Sequence, residues 1–179
     1  MKMLWIVIGG YCIVSIALYF IMRFKCKRNP VFKAPRSPTM YYILTFIWGL
    51  PIAIIGEMTG LVMRMAGNVP YKYGFECCYV IKDISWGINL GRIIIVPENC
   101  REVIKMHEHG HGIQNAYLGI FTPMVVALPS VIRFWYREIR EIIGKPCRTG
   151  YFDIWFKKSA TASGRALVPN RMLKYQGEK

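Results

Sequence analysis

Residues Met3 to Met22 form an uncharged, largely apolar run of twenty. A run of that length suits the hydrocarbon core of a bilayer, about 30 Å thick and crossed by about 20 helical residues. No small-residue cleavage site separates it from the basic cluster Arg23, Lys25, Lys27 and Arg28, so it reads as an anchor and not as a removed leader. The expected order is a transmembrane helix over residues 1–22, a basic linker over 23–39, and a second transmembrane or interfacial helix over 40–65. The last is apolar from Met40 to Gly56 and kinked by Pro51, and a second span is the favoured reading. The six positive charges between Arg23 and Thr39 place that linker in the cytoplasm by the positive-inside rule. With two spans, the domain over 66–179 is then expected on the extracytoplasmic side.

All three histidines of the chain fall within five residues, His107, Glu108, His109, Gly110 and His111, which spell H-E-x-x-H. On an α-helix, residues four apart share a face, so His107 and His111 can direct both imidazoles at one Zn²⁺ while Glu108 flanks the ion and handles a water. This is the arrangement of a zinc metallopeptidase. It needs a helix, and the sequence predicts one from about Cys100 to Leu118, with Asn99 as N-cap and Glu102 as its capping-box partner. Val103, Ile104, His107, His111, Gln114 and Leu118 share the buried stripe, and His109 falls opposite as an exposed bystander. Gly110 and Gly112 each cost roughly 1 kcal/mol of helix propensity, which implies close backbone approach there. Gln114, one turn beyond His111, is placed either to hydrogen-bond near the site or to pack as a buried polar group.

Upstream, Cys78 to Lys82 and Leu90 to Val96 are β-branched and separated by Asp83, Gly87 and Gly91, the pattern of a small antiparallel sheet. Arg92 to Pro97 is the candidate edge strand for pairing with a substrate backbone, with ordinary packing on the helix as the equal alternative. The apolar segment Gly119 to Tyr136 is interrupted by Pro123, Pro129 and Arg133. It reads as a hairpin or short helices packed on the domain and resting on the membrane surface.

With 24 Lys+Arg against 10 Asp+Glu and 54% hydrophobic residues, the chain is both basic and apolar. No aromatic-interleaved basic motif is present, so membrane lipids explain the charge and nucleic acid does not. The six cysteines show no metal-type Cys-x-x-Cys spacing and no legible disulfide framework.

Taken together, His107 to Asn115, Pro123, Leu128-Pro129-Ser130, Ile132 to Glu138, and the aromatic string Tyr151-Phe152-Asp153-Ile154-Trp155-Phe156 resemble a family of small bacterial membrane-associated proteins. The shared pattern is H-E-[FY]-G-H-x-I-Q-N, a proline-containing apolar stretch, I-P-S-x-I-R-[FY]-W-Y-R-E, and an aromatic tail. The resemblance spans roughly Trp86 to Gly164. It implies a zincin-like fold with a metallopeptidase site, and with the apolar runs and β-branched stretches above the expected chain is α+β: N-terminal transmembrane helices, then a small zincin-like domain with a short antiparallel sheet and an H-E-x-x-H helix. It does not imply a substrate; the H-E-x-x-H residues themselves give the expectation of Zn²⁺ as cofactor, His107 and His111 as metal ligands, Glu108 as catalytic base and a protein or peptide as substrate.

In that family the tail continues with Glu, the natural third ligand. Here the position is Lys157, followed by Lys158-Ser159-Ala160-Thr161. A protonated ammonium is a poor ligand and is electrostatically adverse beside Zn²⁺. Three outcomes stay open. Asp153, one helical turn before Lys157, ranks first as a replacement ligand; Glu138 or Glu141 could serve from the preceding helix, although a solvated face paired with Arg137 and Arg140 explains them better; or the zinc is lost, leaving an inactive scaffold that binds a protein partner or lipid.

Overall fold

The computed structural model describes residues 2–28, 32–33, 35–147, 149–150 and 153–165. Tyr151 and Phe152 of the aromatic string lie outside them. The architecture is α+β and mostly helical, with one small four-stranded sheet.

Helix α1 (Lys2–Arg28) contains the apolar run. Its Lys2–Cys26 portion, with mean hydropathy 2.2, is long and apolar enough to cross a bilayer, and it is almost bare of protein contacts. Where α1 does touch the body it does so along one side. Leu18, Tyr19 and Met22 pack on the cluster of Leu118, Val125, Val126 and Phe156. Tyr11 donates its hydroxyl to the Ile120 carbonyl at 2.8 Å and stacks on Phe121. At the far end Cys26 lies 3.8 Å from the Ser159 hydroxyl.

The second apolar stretch is not one continuous rod. Helix α2 (Pro38–Ile43), capped by the Ser37 hydroxyl, runs into a π-helical turn (Leu44–Trp48), and α3 (Leu50–Met65) leaves it at a bend of 103°. Pro51 begins α3 instead of kinking a longer helix. In the first turn its missing N–H costs no bond. The hinge is Gly49, whose β-carbon would stand only 2.7 Å from the Asn115 amide nitrogen. One side of α3, Ala53, Gly56 and Gly60, is buried against the sheet, and Glu57 forms a two-pronged ion pair with Arg92 at 2.7 and 2.8 Å. Its other side leaves Ile54, Ile55, Met58, Leu61 and Val62 exposed.

The strands are β1 (Tyr71–Tyr73), β2 (Glu76–Ile81), β3 (Ile88–Leu90) and β4 (Ile93–Pro97), in the spatial order β1-β2-β4-β3. Two expectations change here. The strands β2 and β4 pair parallel, Cys77 opposite Ile93 through Ile81 opposite Pro97, because the chain first makes β3 and then folds back through Gly91 at φ 71°. As a result β4 is an interior strand, and Arg92 to Pro97 offers no free edge; the edges are β1 and β3. Burial on both faces explains the unbroken Ile93–Val96 run. Cys78, Ile94 and Val96 form one cluster with Ile104 of the next helix, while Tyr79, Ile93 and Ile95 form another with Met63 of α3.

Helix α4 (Glu102–Leu118) carries the histidines. It starts later than the Asn99 box would have it. The Cys100 amide bonds the Pro97 carbonyl and closes a turn, leaving Arg101 as an N-cap without a side-chain bond. Gly119, at φ 54° and directly beneath the Trp48 ring, ends the helix. A short 3₁₀ turn (Gly119–Phe121) and a π-helical turn (Pro123–Ala127) lead into α5 (Leu128–Ile142), bent 117° from α4, as the two prolines imply. Helix α6 (Trp155–Arg165) then returns to lie along α4.

Candidate metal centre

Helix α4 lies between the sheet and α6, and this determines which motif residues are covered. Gly110 faces the Ala160 carbonyl and Gly164 faces the Met106 carbonyl, so each helix admits the other's backbone where a β-carbon would collide. The close approach expected at Gly110 is therefore met by α6. At Gly112 it is met by the Glu76 carboxylate and the Tyr41 hydroxyl.

Because α4 is covered on two sides, His109 is not an exposed bystander. It is 1% exposed, and its Nδ1 stands 2.7 Å from Glu76 Oε2. Glu76 also accepts from the Tyr41 hydroxyl and from Asn89 at 3.0 Å. A single buried stripe on the helical wheel describes a surface helix. In a central helix the opposite face is buried too and needs its own polar partner.

His107 and His111 converge on the side facing α6. Their Nε2 atoms are 3.2 Å apart. Gln114 donates its amide to the Phe156 carbonyl at 2.7 Å, which turns its Oε1 toward His111 Nδ1 at 2.8 Å. His111 Nδ1–H is therefore the donor, and its Nε2 carries a lone pair. The Thr161 hydroxyl lies 3.0 Å from the Lys157 carbonyl and 2.8 Å from His107 Nδ1. A separation of 3.2 Å suits a hydrogen bond from one ring to the other, and it also suits a shared cation. Two Zn–N bonds of tetrahedral geometry would set the nitrogens roughly 3.3 Å apart. Thr161 was not singled out from sequence; its position four residues after Lys157 was the available signal.

Burial, then the neighbouring His111 and Lys157, hold the His107 imidazolium down to about 2; burial and Lys157 hold His111 down to about 4, partly offset by Gln114. Both rings are thus neutral at physiological pH, as metal ligands must be. Burial pushes the Glu108 carboxyl up to about 7, the Lys157 charge opposing and Glu76 adding to the rise. Its Oε1 lies against Gly87, at the start of the edge strand β3.

The third position differs from the leading expectation. Asp153 is at the surface, accepting from the Gly150 amide at 3.0 Å and paired with Lys158 at 3.2 Å, because it precedes the first turn of α6 and faces solvent. Glu138 and Glu141 are exposed on α5. Among the described residues no group of three His, Cys, Asp or Glu gathers that could hold a metal. Lys157 is 5% exposed and acts electrostatically on His107, Glu108 and His111 alike. Among the described residues the two imidazoles thus have no third, anionic donor beside them.

The carboxyl of Glu108 gives a pH-dependent prediction. Its folded-state pKa, about 7, lies above the unfolded value of 4.5. Below about pH 4 it is protonated in both states and costs nothing, and as pH rises toward 7 and beyond the cost grows to about 3 kcal/mol. With chelator present, Glu108→Gln is expected to be more stable than the parent at pH 8 and equal to it at pH 4 in thermal unfolding. An unchanged difference across that range would contradict the buried-carboxyl account.

No family model, curated protein or solved structure matches this chain.

Proposed function

We propose that this is a membrane-anchored, zinc-dependent metallopeptidase-like protein with a zincin-like active-site helix, acting on a protein or peptide. The observation that carries the reading is the convergence of His107 and His111, whose Nε2 atoms are 3.2 Å apart while their Nδ1 atoms bond Thr161 and Gln114. His107 and His111 would hold the ion. Zinc supplies Lewis acidity there, polarising a carbonyl and acidifying water. Glu108, with a pKa near 7, is suited to take a proton on its carboxylate and return it to a leaving amine. The edge of β3, running on from Gly87 beside Glu108, is where an extended peptide backbone can pair.

Hydrolysis of a fluorogenic peptide library by the full chain in nanodiscs with zinc tests this. Glu108→Gln is expected to lower turnover by about 10³-fold, within the range for loss of a general base, with zinc content unchanged. Sustained turnover in that variant would rule out the assigned role.

The buried Lys157 favours a second reading, an inactive scaffold in which an ammonium takes over the charge-balancing role of the metal and the domain binds a protein partner or lipid. Loss of metal and activity from the wild type alike would select it.

Contacts between α6 and the basic end of α1 support a proposal for sidedness. Helix α6 bonds to Cys26, at the basic end of α1, and the Ser163 hydroxyl accepts from the Phe32 amide at 2.9 Å in the basic linker. With α3 folded onto the sheet, we place the domain on the linker side, cytoplasmic by the positive-inside rule and opposite to the two-span expectation. Cysteine labelling of intact cells at Trp86→Cys tests it: protection from an impermeant reagent is expected, and ready labelling would reverse the assignment.

A further inference from the structure

Helix α5 is strongly amphipathic, yet it has no buried residue. At 100° per residue, Leu128, Ile132, Trp135 and Ile139 lie within one apolar arc, and Arg133, Arg137 and Arg140 occupy the opposite one. Between this helix and α1 runs a cleft of about 530 Å³, lined mainly by Ile16, Phe20, Leu128, Ile132 and Tyr136, with Arg133 at its edge. Its volume lies within the range of sites for small ligands.

Three observations identify the occupant. First, Ile16 and Phe20 lie inside the apolar portion of α1, six to ten residues before Cys26 at its basic end, so the cleft opens at the depth of lipid chains and not of water. Second, Arg133 lines the cleft, and its guanidinium is held in place by bonds from Nη2 to Thr149 Oγ1 and the Gly150 carbonyl, at 2.9 and 3.3 Å. A guanidinium at the wall of an apolar cleft is a charge-assisted donor for an anionic oxygen. Third, positive charge predominates around it: Arg23 stands one turn beyond Phe20, and Arg133, Arg137 and Arg140 run along α5, against Glu138 and Glu141 on that helix and the Asp153 carboxylate on which Arg133 acts.

We propose that the α1–α5 cleft is a binding site for one anionic phospholipid, its acyl chain between Ile16, Phe20 and Ile132 and its phosphate against Arg133. Bound lipid would cover the apolar side of α5 and join it to α1, fixing the domain against the membrane. The inference rests on neither zinc nor hydrolysis.

The test uses the full chain in nanodiscs of phosphatidylcholine doped with phosphatidylglycerol carrying a diazirine near the end of one acyl chain. Photolysis and peptide mapping are expected to place the label on residues 15–20 and 124–136. Arg133→Gln should reduce it about tenfold, the loss of one charge-assisted contact. Ile132→Trp, which fills the cleft, should reduce it comparably. Excess unlabelled phosphatidylglycerol should compete in the unmodified protein, which keeps the test decisive if a variant fails to fold. Equal labelling by the corresponding phosphatidylcholine probe, without competition, would reduce the cleft to a surface wetted by bulk lipid and overturn the proposal.

Discussion

Gly110→Val is expected to unfold the domain or cost it more than about 3 kcal/mol, at the upper end for overpacking, because no rotamer relieves the clash. The added β-carbon would meet the Ala160 carbonyl and backbone, which cannot swing aside as a side-chain end can. Helices α4 and α6 would have to separate, and with them the bond from His107 to Thr161 and that from Gln114 to the Phe156 carbonyl. On the zinc reading proposed above, the variant should lose metal binding as well as stability. Gly9→Ala provides the contrast. No atom lies within 4 Å of its would-be β-carbon, and a helix interior favours Ala by roughly 0.5–1 kcal/mol. Thermal unfolding in detergent with fluorescence detection reads both. A Gly110→Val protein as stable as wild type would show that the helices do not approach in this way.

Lys157→Glu is expected to raise zinc affinity by at least about 100-fold, the upper range for ligand-shell changes, since it exchanges a repelling charge for an attracting one. The position is buried on the face of α6 that also presents Thr161 to His107. Competition against a chromophoric chelator measures the effect. Peptide hydrolysis by the same variant then distinguishes the two functional readings. New activity marks the natural site as a degenerate one, while activity already present in wild type and unchanged by the substitution assigns Lys157 a tolerated place in a working site. Affinity unchanged by the substitution would place the Lys157 side chain away from the ion.

The residues that were legible were those whose role depends on local spacing. The apolar length of Met3 to Met22 gave α1, and the i, i+4 relation of His107 and His111 on a helix gave their convergence. Glycines at 110 and 112, unfavourable in a helix without cause, signalled close neighbours that α6, Glu76 and Tyr41 then supplied. What escaped depended on tertiary layering. His109 looked exposed because a wheel has one buried stripe, whereas α4 is enclosed by sheet and helix. The Leu90 to Val96 run looked like one strand of an antiparallel pair because periodicity does not report that Gly91 folds β3 back and leaves β4 beside β2 in parallel. Asp153 had the right distance along the chain from Lys157, but α6 begins only at Trp155, so the carboxylate lies outside the helix and faces solvent.

X-ray absorption at the zinc edge of the full chain, purified in detergent and loaded with one equivalent of zinc, tests the central claim most directly. The account predicts scattering from two imidazole nitrogens at about 2.0–2.1 Å with no sulfur, lost in His107→Ala and in His111→Ala. Zinc that fails to bind, or that remains with the same nitrogen shell in either variant, would contradict it.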